Sequence, residues 1–205
     1  MFTLSPPAVR DTEVFTRLPD RFRRPAVTDW SRANRGGAAI DSFLEAPAFD
    51  SAGNLYVGDI PFGRIFRIDP AGDWTLVAQY DGEPNGMKLV SDDEAVIADY
   101  RNGLMLLDLR RGTVRPLLGH RNSEGFKGLN DLVFGADGSL YFTDQGQTGL
   151  HDPTGRVYRL RSDGRLDLLL ANVPSPNGVA LSPDGKVLFV AATRGNCVWR
   201  VPLMA

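Results

Sequence analysis

Four oxygen-bearing side chains recur at one position of a repeated pattern. They precede short apolar runs and lie about 40 to 47 residues apart in the sequence: Glu45, Asn85, Asn130 and Asn177. Carboxylate and amide oxygens are the ligands that hard cations such as Ca²⁺ prefer in proteins. If the fold brings the four positions together, their oxygen atoms could therefore surround a divalent cation.

The segments that begin at these four residues align with one another without a gap. They read EAPAFDSAGNLYVGD (45–59), NGMKLVSDDEAVIAD (85–99), NDLVFGADGSLYFTD (130–144) and NGVALSPDGKVLFVA (177–191). Columns eight and nine hold Ala-Gly, Asp-Asp or Asp-Gly, which are residues typical of hairpin turns. Each segment therefore predicts two strands, and a second pair of strands follows the first three segments.

Units of four short strands every 40 to 50 residues are typical of a β-propeller. A stacked β-sandwich is the alternative, but it gives no reason for a period of four strands. We therefore predict an all-β fold with about four propeller blades over residues 41–205. Residues 1–40 contain no copy of the repeat, and the run TEVFTRL at 12–18 predicts a strand that closes a blade.

In a propeller the first strand of each blade lies nearest the axis, so the four first-column residues should converge at one end of a central channel. The fifth column is apolar in every repeat and predicts equivalent packed positions at Phe49, Leu89, Phe134 and Leu181. The last repeat stops after its third strand, so we expect a C-terminally truncated chain. Its uncovered last blade should promote self-association or aggregation.

The first column also has a simpler interpretation as turn chemistry. The Asn-Gly pairs at 85–86 and 177–178 match the signal of a type I′ turn. However, Asn130 is followed by Asp131 rather than glycine, and Glu45 is a poor turn former. Taken together, the four residues of the first column therefore favour a ligand-binding site over turn chemistry. The aspartates that end the second strands are interpreted as strand-end caps: Asp59, Asp99 and Asp144.

The composition argues against other classes of site. A net charge of −2 gives no electrostatic case for nucleic acid or for an anionic membrane surface. One cysteine and two histidines exclude a disulfide framework and a multi-cysteine zinc site. The first residues lack the basic and apolar regions of a signal peptide, and no apolar run is long enough to cross a bilayer. We therefore expect a cytoplasmic protein.

The same motifs resemble a known family. LEAPAFDSAGNLYVGDIPFGRIFRI, EPNGMKLV, NDLVFGADGSLYFTDQGQTG and SPNGVALSPDGKVLFVA are similar to stretches of the gluconolactonase/regucalcin (senescence marker protein) family of six-bladed β-propellers. The resemblance extends from about residue 10 to the end of the chain. It implies one or two divalent cations, most commonly Ca²⁺, and the hydrolysis of a sugar lactone or a related lactone.

The resemblance also implies roles for particular residues. Glu45, Asn130 and Asn177 match the metal ligands, and Asn85 matches an amide that lines the pocket and contacts the substrate. Asp131 matches, more weakly, a ligand of a second calcium in paraoxonase-like propellers. The chemistry of Arg101 adds a further substrate-binding candidate, because its planar fork suits hydroxyl or carboxylate acceptors. A solvated arginine at the rim is the alternative for that position.

One departure from the family pattern leaves the catalytic residue unassigned. The family's remaining ligand and general base is an Asp in a fifth-blade PDG motif, whereas the Pro-Asp-Gly at 183–185 lies out of register in a hairpin turn. Six blades would also need roughly 270 residues beyond the N-terminal segment. We therefore expect the general-base Asp of the family to lie beyond Ala205, the last residue of the sequence.

These considerations give the expected function and its alternatives. We expect a lactonase-type carboxylic-ester hydrolase whose activity is impaired in this chain, because the residue that activates water is not among its candidates. The alternatives are a calcium-binding or interaction propeller without turnover, and an inactive fragment.

Overall fold

Four antiparallel β-sheets follow one another along residues 8–203, the part of the chain that the computed structural model describes. The first contains β1 (Leu44–Phe49), β2 (Leu55–Asp59), β3 (Arg64–Ile68) and β4 (Trp74–Gln79). The second contains β5 (Pro84–Leu89), β6 (Glu94–Asp99), β7 (Gly103–Asp108) and β8 (Thr113–Leu118). A small hairpin of β9 (His120–Arg121) and β10 (Glu124–Gly125) precedes the third sheet. The last two sheets contain β11 (Leu129–Phe134), β12 (Leu140–Asp144), β13 (Gly155–Leu160) and β14 (Leu166–Val173), then β15 (Pro176–Leu181), β16 (Val187–Ala192) and β17 (Cys197–Pro202).

Each sheet is a meander whose strands pair in chain order. The first hairpin of three sheets turns at a glycine with positive φ, because the ninth column of the repeat needs that conformation: Gly53, Gly138 and Gly185. The first strands β1, β5, β11 and β15 contact one another in succession, so the sheets are blades around a common axis. This arrangement confirms the prediction of an all-β propeller with about four blades.

Apolar side chains fill the three interfaces between successive blades. Fully buried members, in order from the first interface to the third, include Ile65, Ile97, Leu104, Phe142, Tyr158, Val157 and Leu188. Burial of a large apolar side chain stabilises a fold by about 1.5–3 kcal/mol relative to exposure. The blades are therefore held in place chiefly by face-to-face packing.

The N-terminal segment covers the free face of the first blade. Leu18 and Phe22 pack against Phe66 and Trp74, and the rings of Phe22 and Phe66 lie 4.9 Å apart. Trp74 Nε1 donates a hydrogen bond of 3.1 Å to the hydroxyl oxygen of Thr16. This segment occupies the position that a preceding blade would have on that face.

The strand predicted over residues 12–18 does not form, and this part of the sequence-based prediction is wrong. Within it, Thr16 and Leu18 contact the first blade through their side chains, whereas Val14 and Phe15 are exposed, and its backbone joins no ladder.

Both ends of the predicted domains extend past the described part of the chain. Residues 1–7 of the predicted N-terminal segment 1–40 lie outside the described residues, and so do Met204 and Ala205 at the end of the predicted propeller domain 41–205. The expectation that the general-base Asp lies beyond Ala205 therefore stays a prediction of the sequence, since no described residue bears on it.

A short helix follows in the N-terminal segment. Helix α1 (Asp29–Asn34) begins with a capping box, in which Thr28 and Ser31 each accept the other's backbone N–H through a side-chain oxygen. Short 3₁₀ turns occur at Asp20–Phe22, Ile60–Phe62 and Thr193–Gly195. No helix within residues 8–203 is long and apolar enough to cross a membrane.

Phe49 corrects the prediction for the fifth column. Leu89, Phe134 and Leu181 pack into the interface with the preceding blade, whereas Phe49 is 67% exposed. It belongs to the first blade, whose corresponding face is covered by the N-terminal segment rather than by a blade. That cover contacts β2, β3 and β4 but leaves Phe49 on β1 uncovered.

Three buried aspartates fix the start of the inner strands. Each ends a second strand and accepts the backbone N–H of the residue sixteen positions earlier: Asp59 from Phe43 at 2.8 Å, Asp99 from Glu83 at 2.8 Å and Asp144 from Gly128 at 2.9 Å. The fourth repeat has Ala191 at this position, and the N–H of Ser175 is donated to Thr148 Oγ1 instead. These bonds confirm the interpretation of the aspartates as caps.

The Asp99 cap should carry a large share of the stability of the second blade. Its carboxylate accepts four hydrogen bonds, including one of 2.7 Å from the Tyr80 hydroxyl. We expect Asp99→Ala to lower the free energy of unfolding by roughly 2–4 kcal/mol, because buried donors lose their acceptor. Asp108→Ala is the control, since this aspartate also accepts three hydrogen bonds at the end of β7. Those bonds are exposed, so water can replace the lost acceptor, and the substitution should cost less than about 1 kcal/mol. Equal losses in urea denaturation would refute the cap's special role.

The outer face of the fourth sheet should mediate self-association, which we propose for this chain. Phe189 is 37% exposed and Val198 is 64% exposed on that face. We expect Phe189→Lys combined with Val198→Lys to reduce association in sedimentation velocity experiments at micromolar concentration. Leu150→Lys, at a loop residue that is 73% exposed, should leave association unchanged. A wild-type chain that sediments as a monomer would contradict the proposal.

Candidate functional site

All four inner strands depart from regular pairing at the first column of the repeat. The register shifts between Glu45 and Ala48 in β1, and equivalent shifts occur in β5, β11 and β15. A bulge of this kind bends a strand and re-aims the side chain beside it. Ala46, next to Glu45, has a φ of 60°, a conformation that L-residues other than glycine rarely adopt. Such local strain is characteristic of functional sites.

The bulges direct the four first-column side chains towards one channel. Two cavities lie along it, which we call the mouth cavity, of about 210 Å³, and the channel cavity, of about 200 Å³. Among residues 8–203, four line both of them: Glu45, Asn85, Asn130 and Asn177. The structure therefore brings the predicted metal ligands and the predicted pocket amide together at the junction between the cavities.

Hydrogen bonds fix the orientation of Asn130. This residue is 9% exposed, and its Nδ2 donates to Gln145 Oε1 at 2.9 Å and, more weakly, to Asn85 Oδ1 at 3.4 Å. Gln145 is itself held, because its Nε2 donates to Ser175 Oγ at 2.8 Å. Since the amide nitrogen of Asn130 is engaged, its Oδ1 remains as the atom that can bind a cation.

Glu45 stands in an unfavourable electrostatic environment. Among residues 8–203 its carboxylate has neither an ion pair nor a hydrogen-bond donor. Partial desolvation raises the pKa of Glu45 above its ordinary value, and the negative charge of Asp131 raises it further. A bound cation would remove both penalties, since it supplies opposite charge beside the ionised carboxylate.

Asp131 lines the channel cavity on the far side of the junction from the mouth. Its Oδ2 accepts the backbone N–H of Val179 at 3.0 Å and its Oδ1 accepts that of Leu132 at 2.8 Å. Asp131 therefore links β11 to β15. A cation at this position would have to share a carboxylate that already accepts two hydrogen bonds.

The donor set at the junction fits a hard cation. One carboxylate and three amide side chains meet there, and oxygen donors of these kinds bind Ca²⁺. No group of three or more His, Cys, Asp or Glu that could hold a metal occurs in the described part of the chain. A cation would thus depend on the amide oxygens and not on a cluster of acidic residues.

Arg101 is not among the residues that line the mouth cavity, which favours the alternative of a solvated arginine at the rim. Its Nη1 forms an ion pair of 2.7 Å with Asp81 at the exposed rim. The arginine that does line the cavity is Arg194, which follows β16. The ion pair between Arg101 and Asp81 is a tertiary contact that the sequence does not reveal. The sequence therefore gives no sign of which of the two arginines lies away from the cavity.

Several other residues that line the mouth cavity were not predicted, although the repeat contained a signal for three of them. The residue after each second strand lines the mouth cavity in three blades: Ile60, Tyr100 and Gln145. These residues form a sixteenth column directly after the fifteen aligned ones. Trp30 and Phe43 also line the cavity, and their rings lie 4.6 Å apart. Trp30 comes from outside the repeat, so the alignment could not identify it.

Comparison with known proteins gives this geometry a family context. A family model described as the SMP-30/gluconolactonase/LRE-like region matches residues 43–205. The chain belongs to this family. The match includes all four first-column residues and every blade, which confirms the resemblance stated above.

Individual relatives agree with the family assignment. Gluconolactonase from Zymomonas mobilis subsp. mobilis is 36% identical over 192 residues, which cover 82% of this chain and 54% of that protein. Lactonase drp35 from Staphylococcus epidermidis is 29% identical over 169 residues, covering 78% of this chain and 51% of that protein. The crystal structure of regucalcin, a calcium-binding protein from Agrobacterium tumefaciens, superposes with a TM-score of 0.63 at 26% identity, covering 79% and 54%. The chain spans about half the length of these family members.

The environment of Glu45 makes a testable prediction about stability. Its pKa is higher in the folded state than in the unfolded state, so ionised Glu45 destabilises the fold above its unfolded-state pKa. In chelator, Glu45→Gln should therefore stabilise the chain at pH 7 by up to about 1 kcal/mol, a value limited by solvent screening. The difference should vanish near pH 3.5, where the carboxyl is largely protonated in both states.

Urea denaturation at the two pH values measures this effect. Glu94→Gln is the matched control, because Glu94 is an exposed residue on β6, remote from both cavities. A Glu45→Gln variant that is less stable than wild type at pH 7 without cation would show that the ionised carboxylate does not destabilise the fold.

Proposed function

We propose that this chain forms the cation- and substrate-binding part of a metal-dependent lactonase of the gluconolactonase type. The family assignment and the lactonases among its relatives support the reaction class. The observation that carries the proposal is the meeting of Glu45, Asn130 and Asn177 at the junction of two cavities. A cytoplasmic location remains a prediction of the sequence.

In this proposal Glu45, Asn130 and Asn177 hold one divalent cation, for which Ca²⁺ is the first candidate. The regucalcin neighbour is described as a calcium-binding protein, which supports that choice. When bound, such a cation polarises a lactone carbonyl and stabilises negative charge on its oxygen. A second cation at Asp131 would compete with the backbone hydrogen bonds of that carboxylate, so we expect it to bind more weakly.

The remaining mouth residues bind and orient the substrate. Asn85 presents an amide at the base of the mouth cavity, and the Tyr100 hydroxyl lies in the same lining. Hydrogen bonds from these groups to ring hydroxyls would fix the lactone. The apolar surface of Ile60 would exclude water from one part of the ring.

The general base is not assigned to a residue of this chain, and the expectation of an Asp beyond Ala205 stays a prediction. Glu45 is the only carboxylate lining the mouth cavity within residues 8–203, and the proposal uses it as a metal ligand. This observation favours a second candidate, a propeller that binds calcium and ligand without turnover. We therefore propose that lactone hydrolysis by these 205 residues is slow, because a missing base typically costs a factor on the order of 10²–10⁴ in rate.

Calcium titration by calorimetry tests the cation site, which both candidate functions share. Glu45→Gln and Asn177→Ala should each weaken Ca²⁺ binding by at least about tenfold, because each removes a ligand oxygen or its charge. Asn102→Ala is the control, since Asn102 donates to Asp81 O at the rim and does not line the mouth cavity. Unchanged affinity in both site variants would refute the proposed ligands.

Lactone hydrolysis is then measured with Ca²⁺ and with chelator. Turnover that is lost in chelator and reduced by Glu45→Gln supports the lactonase. Calcium binding without turnover supports the non-catalytic propeller. Turnover that chelator does not change would contradict a metal-dependent mechanism.

A further inference from the structure

The mouth cavity contains a charge that the proposed cation site does not use. Its charged lining residues, among residues 8–203, are Glu45 and Arg194. Glu45 also lines the channel cavity, so it lies at the base of the mouth, whereas Arg194 lines the mouth cavity alone. The cavity is therefore polarised, with negative charge at the junction and positive charge elsewhere in the mouth.

Hydrogen bonds hold Arg194 in place without neutralising it. Its Nη1 donates to the carbonyl of Thr148 at 2.7 Å, and its Nη2 donates to Gln147 Oε1 at 3.1 Å. Both acceptors are uncharged, and Arg194 takes part in no ion pair with another described residue. Arg101, by contrast, is paired with Asp81. A guanidinium carries five N–H donors, so Arg194 retains donors and a full positive charge.

A chain of hydrogen bonds sets the position of this charge across the mouth. Gln147 accepts from Arg194 and donates through Nε2 to the Tyr100 hydroxyl at 3.0 Å. Tyr100 follows β6 of the second blade, and Arg194 follows β16 of the fourth, so this series of hydrogen bonds spans three blades. Preorganised donors of this kind bind an anion without the cost of ordering a mobile side chain.

The other residues that line the mouth cavity indicate what kind of molecule would carry such an anion. Trp30, Phe43 and Ile60 provide apolar surface, and Asn85 and Gln145 provide amides that suit hydroxyl groups. A polyhydroxylated ring satisfies both kinds of surface. The positive charge of Arg194 is then left for a substituent on that ring, because a planar guanidinium fork matches phosphate and carboxylate oxygens.

We propose that Arg194 binds an acidic substituent of the substrate, so that the site selects lactones carrying a phosphate or a second carboxyl group. This inference rests on the proposed function, because it names the substrate class of the same cavity. A purely structural Arg194, which only anchors the loop through Gln147 and Thr148, would show no dependence on the charge of the ligand.

Non-hydrolysable ring mimics test the inference independently of turnover. The probes are 1,5-anhydroglucitol, its 6-phosphate and its uronic-acid counterpart, which differ only in the substituent on the ring. Calorimetry in chelator removes any contact between the anion and a bound cation. We expect the better of the two acidic mimics to bind about tenfold more tightly than the neutral one, and the two acidic arms show whether phosphate or carboxylate is preferred.

Variants identify the residue responsible. Arg194→Gln should abolish the preference for the acidic mimics, Arg194→Lys should retain part of it, and Arg101→Gln should leave it unchanged. A wild-type chain without the preference, or an Arg194→Gln variant that keeps it, would overturn the inference. If the chain hydrolyses a neutral lactone in a chelator-sensitive way but shows no preference for acidic mimics, the inference fails and the proposed function stands. The preference without any lactone hydrolysis would instead count against the proposed function.

Discussion

The candidate site depends on a backbone constraint that recurs around the propeller. A buried aspartate at the end of the second strand accepts the N–H of the residue that lies two positions before the site residue. This bond fixes the chain where it enters the inner strand, and the bulge that follows turns the next side chain towards the axis. The packing between blades then holds the four entry points at one end of the channel. Asp59, Asp99 and Asp144 thus position residues that they do not contact through their side chains.

Much of this arrangement could be predicted from the sequence because the local residues of each element indicate its structure. Turn residues mark the hairpins, apolar runs mark the strands, and the repeat places Glu45, Asn85, Asn130 and Asn177 at equivalent points. Equivalence in a repeat implies a shared location once the blades surround an axis. The neighbouring column that contains Tyr100 and Gln145 carried the same information, but its side chains differ in chemistry from one blade to the next.

The features that could not be predicted depend on contacts outside the repeat. Phe49 occupies the same repeat position as Leu89, but within residues 8–203 no blade precedes its own and the N-terminal segment does not reach it, so it is exposed. The 12–18 segment has the composition of a strand yet packs across a face through Leu18 and its neighbours. Arg101 and Arg194 both follow second strands, but Arg101 pairs with Asp81 at the rim, whereas Arg194 donates to Thr148 and Gln147 and lines the mouth cavity. Tertiary partners decide such positions, and local propensity is a weak guide to them.

The proposed function depends on a cation site that three first-column residues, Glu45, Asn130 and Asn177, form at the junction of the two cavities. An anomalous difference map from crystals soaked in Mn²⁺ or a lanthanide, as a substitute for Ca²⁺, tests it most directly. We expect one strong peak within about 2–2.6 Å of the Glu45 carboxylate and the Oδ1 atoms of Asn130 and Asn177. A peak elsewhere, or none at this junction under saturating cation, would contradict it.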